Sequence, residues 1–181
     1  MRLLFTIDPK DYDPDGKGFV RDSARARIVR GGKIAMVHSL KYDYYKFPGG
    51  GIDEGEFIEE ALRRELVEEA GYEVSIVSPL GRVIEERHWS NMHGVDFYFL
   101  CHPEKAVANR LTDGETEKGL KLVWFDSIDD AIEYIKDRDS DFVEEWKRPF
   151  FIARDAAALN EAKRVLKMRK FGRGSLGGQH G

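Results

Sequence analysis

The segment Pro48-Gly49-Gly50-Gly51 constrains this chain more than any other. Three consecutive glycines accept backbone angles closed to other residues and let a neighbouring group approach the main chain closely. A helix with clear punctuation follows. Over residues 56–70, Ile58, Leu62, Leu66 and Ala70 recur every four positions, the spacing of one helical face, and Gly71 is a natural C-terminal stop. A helix of this kind, placed directly after such a loop, must bury its apolar stripe against a second layer of structure.

The rest of the chain supplies that layer. Ala24–Val29 alternates small or apolar residues with basic ones, Gly31-Gly32 marks a hairpin turn, and Lys33–His38 reads as the returning strand. Further strands are expected at Val74–Val77, Arg82–Glu85, Val95–Cys101 and Leu120–Phe125. Asp126-Ser127 offers caps for a helix over 128–137, and a longer helical stretch is expected from 141 to 169, broken near Pro149. The first 20 residues are loosely patterned, with a turn-rich run between Asp11 and Gly18, and residues 171–181 form a glycine-rich tail expected to be flexible. Strands on both sides of one helix, then helices, predict an α/β fold: a mixed sheet flanked by helices over 1–140, with a helical extension over 141–170 packed on it.

Composition narrows the function classes. Hydrophobic residues make up 41% and charged residues 34% of the 181, a globular and rather charge-rich balance. No apolar run approaches the ~20 residues that cross a membrane, and Met1–Asp8 turns acidic too soon for a signal peptide, so the expected location is cytoplasmic. The lone cysteine, Cys101, sits in the apolar run Phe97–Cys101 and reads as a buried strand residue. Six basic side chains against one acid give the chain from Glu161 onward a net of +5, which leaves −9 on the rest of a chain whose total is −4. An acidic body argues against nucleic-acid binding, but not against phosphate substrates held through divalent cations. The basic terminal stretch is either a solvated face or a contact with a partner, such as a second copy in a homodimer.

On a regular α-helix, Glu65, Glu68 and Glu69 fall within an arc of roughly 100° that borders the apolar stripe. Glu59 with Arg63, and Glu60 with Arg64, are ordinary helix-stabilising pairs, whereas Glu65 and Glu69 face each other with no basic residue three or four positions away. Such a cluster is either a solvated acidic face or a divalent-cation site; the glycine loop before it favours the second, because that loop suits close approach to a phosphate chain.

Gly50-Gly51-Ile52-Asp53-Glu54-Gly55-Glu56, seven residues, then Arg64-Glu65-Leu66-Val67-Glu68-Glu69-Ala70-Gly71-Tyr72 resembles the Nudix box. That pattern is a glycine, five residues, a glutamate, seven residues, then Arg-Glu-aliphatic-x-Glu-Glu-x-Gly-aliphatic. Gly50, Glu56, Arg64, Glu65, Leu66, Glu68, Glu69 and Gly71 match it, and Tyr72 departs from it where an aliphatic residue is usual. The resemblance implies a Nudix-type α/β/α sandwich and hydrolysis of a nucleoside diphosphate linked to another group by water attack on phosphorus, with Mg²⁺ or Mn²⁺ as cofactor and a small nucleotide-type molecule as substrate. By position in the motif, Glu68 and Glu69 are the main metal ligands, Glu65 a further ligand or the base that activates water, and Arg64 the orienting partner of the loop and helix. Many members add a glutamate from outside the box; Glu115 and Glu117 are the candidates here, with Glu117 preferred and a plain polar turn the alternative. Gly49, Gly50 and Gly51 are expected at the phosphates. Arg27, with Arg25, is expected to meet phosphate oxygens if not simply exposed on its strand, and Tyr45 or Phe47 to stack on a base if not simply packed. A Nudix-fold binding module without catalysis is the second reading, against which the intact acidic set speaks; an isomerase would need a catalytic cysteine, and Cys101 reads as core.

Overall fold

A computed structural model describes residues 1–8, 17–137, 154–156 and 158–167. The expected turn-rich run before residue 17, the break near Pro149, the helix start at 141 and the tail over 171–181 lie outside these residues wholly or for the most part. Nine strands form a mixed sheet: β1 (Leu3–Ile7), β2 (Phe19–Val20), β3 (Ser23–Arg30), β4 (Lys33–Ser39), β5 (Tyr44–Lys46), β6 (Gly49–Gly51), β7 (Tyr72–Arg87), β8 (Met92–Ala106) and β9 (Leu120–Phe125). Helices α1 (Ile58–Glu65), α2 (Asp113–Lys118) and α3 (Ile128–Asp137) complete the core order, and residues 158–167 are helical.

The order β1-β7-β8-β3-β4-β5 carries β2 beside β8, β6 beside β3 and β9 beside β4. β3 runs parallel to β8 but antiparallel to β4 and β6. Its two ends therefore have different neighbours on one side: Val29 and Arg30 pair with β4, while Ser23, Ala24 and Arg25 pair with the three glycines of β6. The strands expected at Val74–Val77 and Arg82–Glu85 are one long strand, β7, whose pairing with β8 slips at three places. Pro79 and Gly81 lie at one of those slips, as residues that disfavour a regular ladder often do.

Period-two alternation sorts side chains between two cores. Ala24, Ala26, Ile28, Ala35, Phe99 and Cys101 pack under Ala61, Leu62, Leu66 and Ala70 of the box helix. Ile34, Met36, Tyr98 and Leu100 face the other way, against Ile128 and Ala131 of α3 and Ala158, Leu159 and Ala162 of the terminal helix. Helices thus cover both faces, the α/β/α arrangement. Ser127 caps α3 as expected, its hydroxyl accepting from the Asp130 N–H at 3.0 Å. Tyr72 starts β7 with its ring edge-on to Trp124 at 6.3 Å, so the departure from the box motif is absorbed by packing. No described helix is long and apolar enough to cross a membrane.

The box helix departs from expectation. The sequence predicts a single α-helix over 56–70; the observed α-helix ends at Glu65, and Leu66–Ala70 continues as a π-helical turn closed by Gly71 in the left-handed region. The widened turn changes the angular spacing of Glu68 and Glu69 from that of a straight α-helix.

Cys101 tests the two-core arrangement. It is 1% exposed, and burial pushes its thiol up to about 12. Because the thiolate is the reactive form, the native protein at about pH 8 should resist iodoacetamide and label fully only after unfolding. Rapid alkylation of the native protein would place Cys101 outside the core.

Candidate active site

The site is built where β6 meets the box helix. Gly49 sits at φ 130°, a conformation L side chains rarely adopt, and a Cβ there would strike the Ala24 carbonyl oxygen. A Cβ on Gly50 would strike the Glu65 carboxylate. The helix therefore packs its acidic residues directly onto bare backbone. The Gly49 N–H donates to Glu69 Oε2 at 3.0 Å, and the Pro48 carbonyl is tied to the Ala26 N–H at 2.9 Å.

Arg64 holds the loop to the helix. Its guanidinium donates to both oxygens of Glu56 at 2.9 and 2.8 Å, to the Gly51 carbonyl at 3.0 Å, to Glu65 at 2.9 Å and to Glu68 at 3.2 Å. The Arg64 hydrogen bonds hold the Glu56 carboxyl below its ordinary value, and Glu56 in turn raises the guanidinium.

One carboxylate oxygen each from Glu65, Glu69 and Glu115 lies within 4.8 Å of the other two. Glu65 and Glu69 are buried, at 8% and 2% exposure. Burial pushes both carboxyls above the usual carboxylate range, with Arg64 offsetting part of this for Glu65 and Lys46 for Glu69. Burial also opposes ionisation of Glu115, but hydrogen bonds from Thr112, and one shared with Glu69, hold Glu115 below its ordinary value. Three hard oxygen donors from two helices, two of them buried against each other's charge, fit a divalent cation.

Glu115 arrives through α2. Thr112 Oγ1 accepts from the Glu115 N–H at 3.4 Å, and the Glu115 carboxylate accepts from the Thr112 N–H at 2.8 Å, a capping box that fixes the first turn. Glu117, the preferred candidate from the sequence, lies outside the cluster: its side chain is 71% exposed and pairs with Lys41. The Thr-x-x-Glu spacing of residues 112–115 was the available signal, since it implies a helix start in place of a polar turn. Glu68 is also outside the three-oxygen group. It is partly buried against Arg64, one turn back.

A cleft of about 320 Å³ opens over the carboxylates, lined by Arg21, Lys46, Lys118, Tyr44, Gly50 and Gly51 among others. Gly49 contributes its backbone beneath that wall. Arg27 and Tyr45 are elsewhere. On β3, alternation turns Arg25 and Arg27 toward the core opposite the box helix. Arg27 is fully buried between the rings of Phe47 and Tyr98, and burial pulls its guanidinium down to about 9. Arg25 bonds Asp96 at 2.8 Å and reaches the Gly49 carbonyl at 3.4 Å from behind. On β5, alternation sends Tyr44 and Lys46 into the cleft and Tyr45 away from it, stacked on His38 at 4.1 Å. The sequence reading missed Lys46, Arg21, Tyr44 and Lys118, which carry no local motif.

Comparison with known proteins gives the family and the fold. A family model described as NUDIX domain matches residues 20–146. Over 81 residues the chain is 41% identical to an RNA pyrophosphohydrolase from Caulobacter vibrioides, a match spanning 45% of this chain and 39% of that protein, so well under half of the relative's length. Among solved structures, a UDP-X diphosphatase superposes with a TM-score of 0.56 at 17% identity, covering 84% of this chain and 68% of that one. An ADP compounds hydrolase superposes with a TM-score of 0.54 at 21% identity, covering 82% and 74%. The two structures share the fold. The family model extends over most of the chain and across the loop, helix and carboxylates just described, and on that ground the chain belongs to the Nudix family.

Proposed function

We propose that this chain is a pyrophosphohydrolase that cleaves a nucleoside diphosphate linked to a second group into a nucleoside monophosphate and the phosphorylated remainder. The observation that carries the reading is the convergence of Glu65, Glu69 and Glu115 oxygens within 4.8 Å at the base of a cation-lined cleft. An acidic cluster beneath a phosphate site is repulsive toward an anionic substrate unless a metal reverses the field.

In this reading Glu65, Glu69 and Glu115 hold Mg²⁺ or Mn²⁺, which, when bound, supplies Lewis-acid polarisation of the phosphoryl oxygens. The protein's own groups do the rest. Gly50 and Gly51 offer bare backbone to the phosphate chain, and Arg21, Lys46 and Lys118 line the wall that faces it. Arg64 positions the loop through Glu56 and the Gly51 carbonyl, so it keeps glycines and carboxylates in register. Glu68, paired with Arg64 beside the cluster, is the carboxylate to which this reading assigns the proton of the attacking water. The net change adds one water: a P–O bond forms at the attacked phosphorus, the bridging P–O bond breaks, and the proton leaves to a carboxylate.

The test is a hydrolysis screen with Mg²⁺ or Mn²⁺ over nucleoside triphosphates, ADP-ribose, dinucleoside polyphosphates, sugar nucleotides and an oligoribonucleotide carrying a 5′ pyrophosphate. Glu69→Gln should lower the rate more than ~100-fold, beyond the loss usual for an outer-shell group, with its circular dichroism unchanged. Glu115→Gln should lower it at least ~10-fold and Glu117→Gln should leave it near the parent rate. Equal rates in the parent and Glu69→Gln would remove the metal-ligand assignment, and no turnover of any compound would leave a binding module.

Arg64→Ala should act on both stability and rate. It removes a charge-assisted pair with Glu56 and a donor to the Gly51 carbonyl, together on the order of 2 kcal/mol for a partly exposed site after allowing for solvent screening. Denaturant unfolding and the rate for the best substrate should fall together; a variant as stable and as active as the parent would refute the positioning role.

A further inference from the structure

A lysine already occupies one side of the acidic cluster. Lys46 leaves β5 pointing into the cleft, and its ammonium bonds Glu69 Oε1 while lying 3.5 Å from the Gly49 carbonyl. The other Glu69 oxygen accepts from the Gly49 N–H at 3.0 Å. One oxygen is therefore fixed by rigid backbone and the other by a flexible cation. The Glu69 side chain is 2% exposed and that of Lys46 is 21% exposed, so the pair spans the floor and the mouth of the site.

This arrangement conflicts with a divalent cation at Glu65, Glu69 and Glu115, the reading on which the inference rests. An ammonium bonded to Glu69 and a metal bound to the same carboxylate would be close like charges in a poorly solvated place, and repulsion there is strong. Lys46 is the partner able to move, because four rotatable carbons carry its charge whereas Glu69 is anchored to Gly49. The cleft it would turn into already holds Arg21 and Lys118 and faces bare glycine backbone, a wall suited to an anion.

We propose that Lys46 is an exchangeable counter-ion: it neutralises Glu69 while the carboxylates hold no metal, and passes to a phosphate oxygen of the substrate when a divalent cation takes over Glu69. The buried carboxylate is then never left without a positive partner, a state that is strongly destabilising. Metal binding frees the lysine for substrate, so each ligand strengthens the other, and the coupling is reciprocal.

The experiment titrates Mn²⁺ alone into the full chain, following free ion by electron paramagnetic resonance, for the parent, Lys46→Met, Lys46→Gln, Lys46→Arg, Lys118→Met and Glu69→Gln. Without a competing ammonium, Lys46→Met and Lys46→Gln should bind Mn²⁺ on the order of tenfold more tightly than the parent. Lys46→Arg should remain near the parent. Lys118→Met, which shares the cleft without bonding Glu69, should gain no more than about twofold through the general field. In thermal melts the two neutral Lys46 variants should fall below the parent in chelator and regain that loss in Mn²⁺. Their KM for the best substrate should rise even as metal affinity improves, opposite changes that simple structural damage does not produce. Unchanged or weaker Mn²⁺ binding by both neutral variants, an equal gain in Lys118→Met, or an unaltered KM would overturn the exchange. If Glu69→Gln binds Mn²⁺ as the parent does, or the parent binds none, the metal-ligand reading itself fails and the exchange falls with it.

Discussion

Contact between acidic side chains and a strand that has no side chains of its own determines the shape of this site. Glu65 fits against Gly50 only because no Cβ is there, and Glu69 accepts from the N–H of Gly49, whose positive φ and lack of a Cβ let the strand lie against Ala24. A carboxylate buried this way normally costs several kcal/mol unless it is hydrogen-bonded and charge-paired. Here the adjoining apolar stripe of the helix, Leu62, Leu66 and Ala70, supplies the offsetting burial, at roughly 1.5–3 kcal/mol for each large side chain. Packing and electrostatics oppose each other across a single helix, and the balance leaves two carboxyls raised above their ordinary range.

The π-turn over Leu66–Ala70 belongs to the same compromise. It ends on Gly71, and the carbonyls it leaves are taken up outside the helix: the Arg110 N–H donates to the Glu68 carbonyl at 3.1 Å and the Val107 N–H to the Gly71 carbonyl at 2.9 Å. The chain leaving β8 thus pins the widened turn, then delivers α2 and Glu115 to the cluster. Backbone hydrogen bonds from residues 107 and 110 tie the box helix to the chain that leads into the 113–118 helix, and Glu115 shares a hydrogen bond with Glu69 where the two helices meet.

Behind the glycine strand lies a buried layer of charge on the opposite face of the sheet. Arg154 donates to Glu85 at 3.2 Å, Asp155 at 3.0 Å and the Tyr44 hydroxyl at 3.1 Å, while Asp96 takes Arg25. Burial alone would push Asp96 up, yet Arg25 and Arg154 hold its carboxyl well below the usual range. Through Arg25 this layer touches the Gly49 carbonyl, and through Tyr44 it touches the cleft wall. Arg154 therefore reaches the cleft wall from behind through Tyr44, and Gly49 is bonded from both faces, by Glu69 on one and Arg25 on the other.

Much of this was readable in the chain alone. The period-four stripe, Gly71 and the spacing of Glu56, Arg64, Glu65 and Glu69 specify a local object, a loop and helix, and local objects follow from short-range sterics and periodicity. Hairpin glycines at 31 and 32 and the cap at Ser127 are legible for the same reason. Tertiary structure decided what depends on which face of a strand meets which partner. Alternation showed that Arg25 and Arg27 share a face but not that this face is buried, so Arg27 went to a core and Arg25 to the back of the site. The same rule separated Tyr45 from Tyr44 and Lys46 without saying which side was the cleft. Glu115, fixed by the capping box at Thr112, lies in the three-oxygen group while Glu117 pairs with Lys41, and Glu68 stays outside that group, bonded to Arg64. Sequence determined the chemistry available at this site; long-range packing, which no local pattern encodes, determined which of those groups converge.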